Sequence, residues 1–246
     1  MKYRFMVAPF EIEIALEEAA HAALLKGWGV DRIELCANLT EGGLTPTLGQ
    51  SLEVVQATEL PVYAMLRPRA GNFQYSTSEK RQMLADLENL LSSGIQGIVF
   101  GALNPDQTID QEFCDSLINR VKASGLGTTF HRAFDACTDP EKAMEFLIDR
   151  GVDRILTSGF QPSVQQGLQG ISQTVAQAKG RISIQAGSGV NAATAPDLWQ
   201  AGIRAFHATA RYWEQEEQRL GFEGRWMPDE NKIKALLQEV DRCSKI

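Results

Sequence analysis

Short apolar runs alternate with amphipathic stretches along almost the whole chain, and glycine marks the joints. Gly27, Gly94, Gly125, Gly151, Gly180 and Gly202 each follow a helix-like segment and precede a strand-like one. Glycine supplies the left-handed conformation that ends a helix. The word Gly29-Val30-Asp31-Arg32-Ile33 returns as Gly151-Val152-Asp153-Arg154-Ile155. The pattern is a βα repeat of about 30 residues per unit. It predicts strands over Tyr3–Ala8, Arg32–Cys36, Val62–Arg67, Gly97–Gly101, Leu126–His131, Arg154–Thr157, Arg181–Ala186 and Arg204–Ala208. A first helix over Glu11–Lys26 follows from the spacing of Ile12, Leu16, Ala19 and Ala23. Further helices are expected at Ser76–Ser93, Gln111–Ser124, from Asp139-Pro140 onward, at Ser163–Lys179 and at Asp229–Cys243, with a short one around Pro196. Ser76 and Glu79 make a capping box, and Asp139-Pro140 is an N-cap acid before a first-turn proline. Gly167 and Gly170 weaken the first turns of their helix. Residues 211–228, with Trp213 and Trp226, match no period; they either cover the barrel mouth or form a subunit interface. Short alternating units without a long linker favour a closed parallel (β/α)8 TIM-type barrel, one domain over residues 1–246, above a doubly wound sheet.

In such a barrel one face of each strand meets the helices and the other fills the interior. Placing Ile33, Leu35, Leu66, Phe130, Ile182, Ile184 and Phe206 outward turns Glu34, Cys36, Met65, Arg67, His131, Ser183, Gln185 and His207 inward. Glu34, Arg67, His131, Gln185 and His207 then converge from five strands near the carboxyl ends, where barrel enzymes keep their sites. Burying such groups costs free energy unless they pair or serve a ligand. The structural alternative is an ion pair between Glu34 and Arg67. The densest stretch is Phe130-His131-Arg132-Ala133-Phe134-Asp135, which puts an imidazole, a fixed cation and a carboxylate at one strand end. Glu34 and His131 are the expected acid/base groups, with Asp135 or Arg132 fixing His131.

The loops point to an anion. Gly187-Ser188-Gly189 follows the seventh strand, Ser158 the sixth and Arg211 the eighth, and glycines let backbone N–H groups approach a phosphate or carboxylate. The long stretches Thr40–Gly49 and Pro68–Tyr75 are candidate covers of the pocket, with Arg69 and Asn72 in reach of a ligand.

Composition narrows the classes. Of 246 residues, 43% are hydrophobic and 22% charged, as in an ordinary globular protein. The net charge of -7 gives no field for nucleic acid. Cys36, Cys114, Cys137 and Cys243 form neither a Cys-x-x-Cys pair nor a disulfide framework, which suits a reducing cytoplasm. No stretch has membrane-spanning length, and Glu11, Glu13, Glu17 and Glu18 interrupt any leader-like apolar core. No motif calls for an organic cofactor.

Five ordered stretches resemble the copper homeostasis protein CutC family: Asp31-Arg32-Ile33-Glu34-Leu35-Cys36, Glu41-Gly42-Gly43-Leu44-Thr45-Pro46, Arg67-Pro68-Arg69-Ala70-Gly71-Asn72-Phe73, Phe130 to Asp135, and Arg154-Ile155-Leu156-Thr157-Ser158-Gly159. The resemblance implies a TIM-type barrel, a cytoplasmic homo-oligomer (dimer or tetramer) and a link to copper, including direct binding of Cu(I) through Cys36. The family's first strand carries a Glu-Val-Cys-like pattern, and aligning it on the first expected strand puts Met6 and Ala8 there. Met6, Cys36 and Met65 would then form a different soft set for Cu(I), with His131 and His207 as further ligands. Two functions are therefore expected: copper handling through Cys36, or an isomerase- or lyase-type enzyme acting on a small phosphorylated or carboxylated metabolite. In the second, Glu34, Arg67, His131, Arg132, Asp135 and His207 are the catalytic set. Arg69, Ser158, Gly187, Ser188, Gly189 and Arg211 bind the anion.

Overall fold

The computed structural model describes residues 9–215 and 224–245. Eight parallel strands close in sequence order into a barrel: β1 (Glu11–Leu16), β2 (Arg32–Leu35), β3 (Val62–Met65), β4 (Gly97–Phe100), β5 (Gly127–Phe130), β6 (Arg154–Thr157), β7 (Ser183–Ala186) and β8 (Ala205–Ala208). The helices between and after them are α1 (Ala19–Gly27), α2 (Leu48–Ala57), α3 (Thr77–Leu91), α4 (Gln111–Ala123), α5 (Pro140–Asp149), α6 (Leu168–Ala178), α7 (Ala195–Gln200) and α8 (Glu230–Ser244). The expected caps form: Ser76 and Glu79 bond reciprocally, and the Asp139 side chain accepts from the N–H of Lys142. α6 starts only after Gly167 because Gly159, Gly167 and Gly170 bring backbones together; a Cβ on Gly159 would lie 2.0 Å from the Gly167 carbonyl oxygen.

The start of the chain corrects the expectation. Glu11–Leu16 is the first barrel strand and not the beginning of a helix, while Tyr3–Ala8 lies outside the described residues. Ile12 and Leu16 fit helical spacing, but Glu11-Ile12-Glu13-Ile14 also alternates with period 2. The strand reading prevails because it closes the sheet, with Ile14 opposite Ile33 of β2 and Ile12 opposite Phe206 of β8. Ile12, Ile14 and Leu16 pack outward into the main apolar core, and Glu13 enters the barrel. The described residues of the stretch 211–228 also gain a form: β9 (Arg211–Gln215) and β10 (Gly224–Pro228) are antiparallel, with Trp213 opposite Trp226 and their rings edge to face at 5.4 Å.

The core has two parts. Most apolar side chains lie between strands and helices, whereas the interior holds a small cluster of Cys36, Met65 and Val99 above a charged floor. Tyr63 fits across that floor because β4 and β5 carry glycine there; a Cβ on Gly97 or Gly127 would lie 2.2 or 2.1 Å from Tyr63. The repeated Val-Asp-Arg-Ile word explains the charges. Asp31 accepts from the N–H of Ile12 at 2.8 Å, and Asp153 from the N–H of Thr128 at 2.7 Å, so each ties its strand to the preceding one. The arginines that follow turn inward: Arg32 pairs with Glu13 and lies 4.0 Å above the Tyr63 ring, and Arg154 grips Glu11 with two bonds of 2.6 and 3.0 Å. Among the described residues no helix is long and apolar enough to cross a membrane.

Candidate active site

A cavity of about 370 Å³ opens at the carboxyl ends of the strands. Of the expected residues, Glu34, Arg67, His131, Arg132, Ser188, Gly189 and His207 line it, together with apolar Leu39, Phe73, Leu156 and Val190. Asp135, Arg69, Ser158, Gly187 and Arg211 are not among its lining residues.

Arg67 does not pair with Glu34. Its guanidinium donates to the carbonyls of Glu41 at 2.9 Å, Gly43 at 3.2 Å and Gly71 at 2.8 Å, which binds the loops after β2 and β3 together. Only its Nε is buried without a partner. Phe73 from the second loop lies against Arg67 at 5.2 Å and against the His131 ring at 4.8 Å.

His131 is 3% exposed. Its Nδ1 accepts the N–H of Ala133 at 3.1 Å, so in the neutral ring the proton sits on Nε2, and Nε2 has no partner. Burial first, then the charge of Arg67, pushes its pKa down to about 3. It is thus a neutral hydrogen-bond donor toward the cavity, not a base. Gly101 makes its room, since a Cβ there would lie 2.6 Å from the imidazole.

The expected fixing of His131 by Asp135 or Arg132 is not observed. The short 3-10 turn Arg132–Ala136 swings Asp135 toward the loop after β6. There its carboxylate accepts from Arg132 Nε at 2.9 Å, from the Ser158 N–H and hydroxyl, both at 3.0 Å, and from the Phe160 N–H at 3.2 Å. Those backbone donors would otherwise lack an acceptor, and a carboxylate answers several at once. Asp135 and Ser158 are therefore staples of the cavity rim, holding Arg132 in place.

Glu34 is 2% exposed, and its Oε2 has no partner. Its Oε1 accepts from Cys36 Sγ at 3.4 Å and lies 3.9 Å from His207 Nε2. Burial, reinforced by the charge of Glu13 and opposed by His207, raises its pKa. His207 Nδ1 bonds Glu13 Oε1 at 2.7 Å. Glu13 is fully buried, receives Gln185 Nε2 at 2.9 Å and pairs with Arg32. Burial works against its ionisation, but Arg32 and His207 outweigh burial and hold its pKa low. Glu13 escaped the sequence reading, which had it in a helix; the alternation of residues 11–14 was the signal that could have found it.

The loops after β7 and β8 differ in use. Ser188 and Gly189 border the cavity in left-handed conformations, φ 77° and 85°. Gly187 makes space, since a Cβ there would meet Leu156 at 2.6 Å and His207 at 3.3 Å. Arg69 does not reach in: it pairs with Glu79 and bonds the carbonyls of Ala70, Asn72 and Gln74, so it shapes its own loop. Arg211 lies 3.9 Å from Glu17, under Trp226, and lines a neighbouring cavity with Lys232.

For a metal the donors are poor. A Cβ on Gly43 would lie 2.8 Å from Cys36 Sγ and 3.5 Å from the Met65 methyl, so these two sit side by side beneath the loop after β2. Burial and the adjacent Glu34 raise the Cys36 thiol pKa well above its usual value, against the thiolate a soft metal requires. Met6 and Ala8 lie outside the described residues, and the observed β1, Glu11–Leu16, carries no cysteine. Ala15 of β1 stands opposite Glu34 in the sheet. One protonated thiol and one thioether do not make a two-thiolate Cu(I) site. Glu13, Glu34 and His207 bring ligand atoms within 4.8 Å of one another, but Glu13 is already engaged by Arg32, Gln185 and His207, which is an ion-pair network.

Fold and pocket together define a parallel (β/α)8 barrel with a carboxyl–imidazole pocket at its C-terminal mouth. The family is then clear. Residues 10–212 match the CutC family model. A CutC family protein of Vibrio campbellii is 45% identical over 184 residues, 74% of each chain. The human copper homeostasis protein cutC homolog is 41% identical over 203 residues, 82% of this chain and 74% of that one. The crystal structure of the putative copper homeostasis protein CutC from Streptococcus agalactiae superposes with a TM-score of 0.76 at 31% identity, covering 81% of this chain and 98% of that one. The chain belongs to the CutC family.

Proposed function

We propose that this CutC-family barrel is an enzyme that moves a proton beside a carbonyl in a small metabolite carrying a phosphate or carboxylate. The observation that carries this reading is that Glu34 Oε2 and His131 Nε2 are both buried, both unpartnered and both on residues lining one cavity. A buried polar atom without a partner costs about 1–3 kcal/mol, and a ligand would supply the missing bonds. Their chemistries are complementary. Glu34, whose pKa burial raises above the usual carboxylate value, is a carboxyl suited to taking and returning a proton. His131, held neutral, donates Nε2–H to an oxygen on which negative charge develops. Arg67 Nε adds a second donor. The rim at Arg132 and at Ser188-Gly189 would take the substrate's anionic end. An isomerase or lyase needs no more than this.

Copper handling is the second reading. The human relative and the Streptococcus structure carry it in their names, and the adjacency of Cys36 and Met65 favours it. Two measurements separate the readings. Ligand-observed NMR with a panel of phosphorylated and carboxylated carbonyl compounds should show binding that is lost on Arg67→Met or His131→Leu. Anaerobic competition for Cu(I) against a chromophoric chelator should show binding no tighter than that of an unrelated thiol protein. Tight stoichiometric Cu(I) binding abolished by Cys36→Ser, with no member of the panel bound, would overturn the enzymatic reading.

A further inference from the structure

His207 is the one imidazole of the cavity with a carboxyl group near each nitrogen. Glu13 Oε1 lies 2.7 Å from Nδ1, and Glu34 Oε1 lies 3.9 Å from Nε2. The two carboxyl groups come from adjacent strands, β1 and β2, and both are shielded from solvent. Around this group lie Arg32 of β2, which pairs with Glu13, Arg154 of β6, whose charge also acts on Glu13, the Cys36 thiol, which donates to Glu34, and the uncharged Gln185 of β7; Gly187, just past β7, leaves space for the ring. Arg32 keeps Glu13 ionised but is itself a cation, so it opposes a charge on His207.

We propose that Glu13 and His207 form a second proton-transfer arm of the site: Glu13 holds the ring through Nδ1, and Nε2–H is presented to Glu34 and the cavity. Glu13 is the positioning residue and His207 the catalytic one. The proposal rests on the proton-transfer reading and assigns its missing acid. His131 is fixed as a neutral donor, so it can polarise an oxygen but has no easy proton to give. His207 has one. Burial disfavours its charge, yet Glu34 and Glu13 together raise its pKa.

In the forward half-reaction Glu34 Oε2 takes the proton from the carbon beside the carbonyl. The C–H electron pair becomes the C=C bond of an enol, and the carbonyl π pair takes the Nε2 proton of His207. Glu34 ends as the acid and His207 as the neutral imidazole. In the return half His207 recovers the enol proton, and Glu34 gives a proton back to carbon. Nothing else is consumed, and a solvent deuteron on Glu34 would appear in the substrate.

The arm can be tested without substrate. The wild-type chain has three histidines, His21, His131 and His207, so its ring ¹⁵N resonances can be followed separately by NMR through a pH titration. The expected result is a His207 imidazolium that persists above 6.5, the ordinary histidine value, beside a His131 that stays neutral. In Glu13→Gln the His207 midpoint should fall by about one unit or more, a tenfold loss of proton affinity. A His207 that is neutral at pH 6 in the wild type would overturn the proposal, as would an unshifted midpoint in a folded Glu13→Gln. The wild-type titration decides the matter even if that variant fails to fold. If the titration holds and no compound exchanges deuterium, the enzymatic reading fails and with it the role of His207 as acid, while the Glu13–His207 ion pair stands.

Discussion

At the scale of single residues, the pocket is organised by two unsatisfied atoms and the groups that keep them so. Glu34 Oε2 and His131 Nε2 are left open, as is Arg67 Nε, while the loops around them are tied down. Arg67 is clamped by three carbonyls, and Asp135 gathers Arg132 and the loop after β6. Asp135→Ala removes an acceptor from several part-buried donors. It should cost about 1–3 kcal/mol of stability, read as a lower urea midpoint, and leave the His131 resonances unchanged. Gly101→Ala should do the reverse. The new methyl would strike the His131 ring, so ligand binding should weaken at least tenfold while the protein stays folded. The pH dependence of turnover belongs to this scale too. Glu34 is raised above the usual carboxylate value of 4.5, so the base is lost as pH falls through that raised value. His207 is raised above 6.5, so the acid is lost as pH rises through its own value. A bell-shaped kcat/KM with both limbs displaced upward is expected, its two midpoints belonging to the coupled pair. A profile lacking both limbs would argue against both roles.

At the scale of elements, what was legible followed from local rules. Glycine joints, the Ser76 and Asp139 caps and the inward parity of Glu34, Arg67, His131 and His207 depend on neighbours close in sequence, and all appear in the structure. β1 was not legible, because Ile12, Leu16 and Ala19 satisfy a helix as well as the strand does. The arbiter is pairing with β2 and with β8, whose partner residues lie 194 positions further on and leave no local trace. Losing β1 also hid Glu13. The orientation of Asp135 depends on a 3-10 turn that its residue types do not announce. Capping is the simplest check of the local account. Ser76→Ala should cost about 1 kcal/mol through α3, visible as a lower Tm with unchanged ligand affinity.

For the whole molecule, the barrel divides its interior by depth. The lower part is a closed charge network in which Arg32 and Arg154, from the two copies of one repeated word, meet Glu13 and Glu11 of β1. Breaking it by Arg32→Met would leave Glu13 without its strongest partner, and removing one member of a buried pair typically costs about 3–5 kcal/mol. The upper part is the open pocket, and His207 and Glu34 join the two. Family membership places this architecture among CutC proteins, while the only sulfur neighbours inside the described barrel, Cys36 and Met65, are a protonated thiol and a thioether. The proposed proton transfer on an organic anion rests on the open pocket and its unpartnered Glu34 and His131 atoms.

The most direct test is ¹H NMR detection of solvent-deuterium exchange beside the carbonyl in the compounds of the binding panel, with wild type and Glu34→Gln. The account predicts enzyme-dependent exchange in at least one bound compound, reduced by two or more orders of magnitude in a folded Glu34→Gln that still binds it, as expected for loss of a general base. Exchange that proceeds equally in the variant, or bound compounds that never exchange in the wild type, would contradict it.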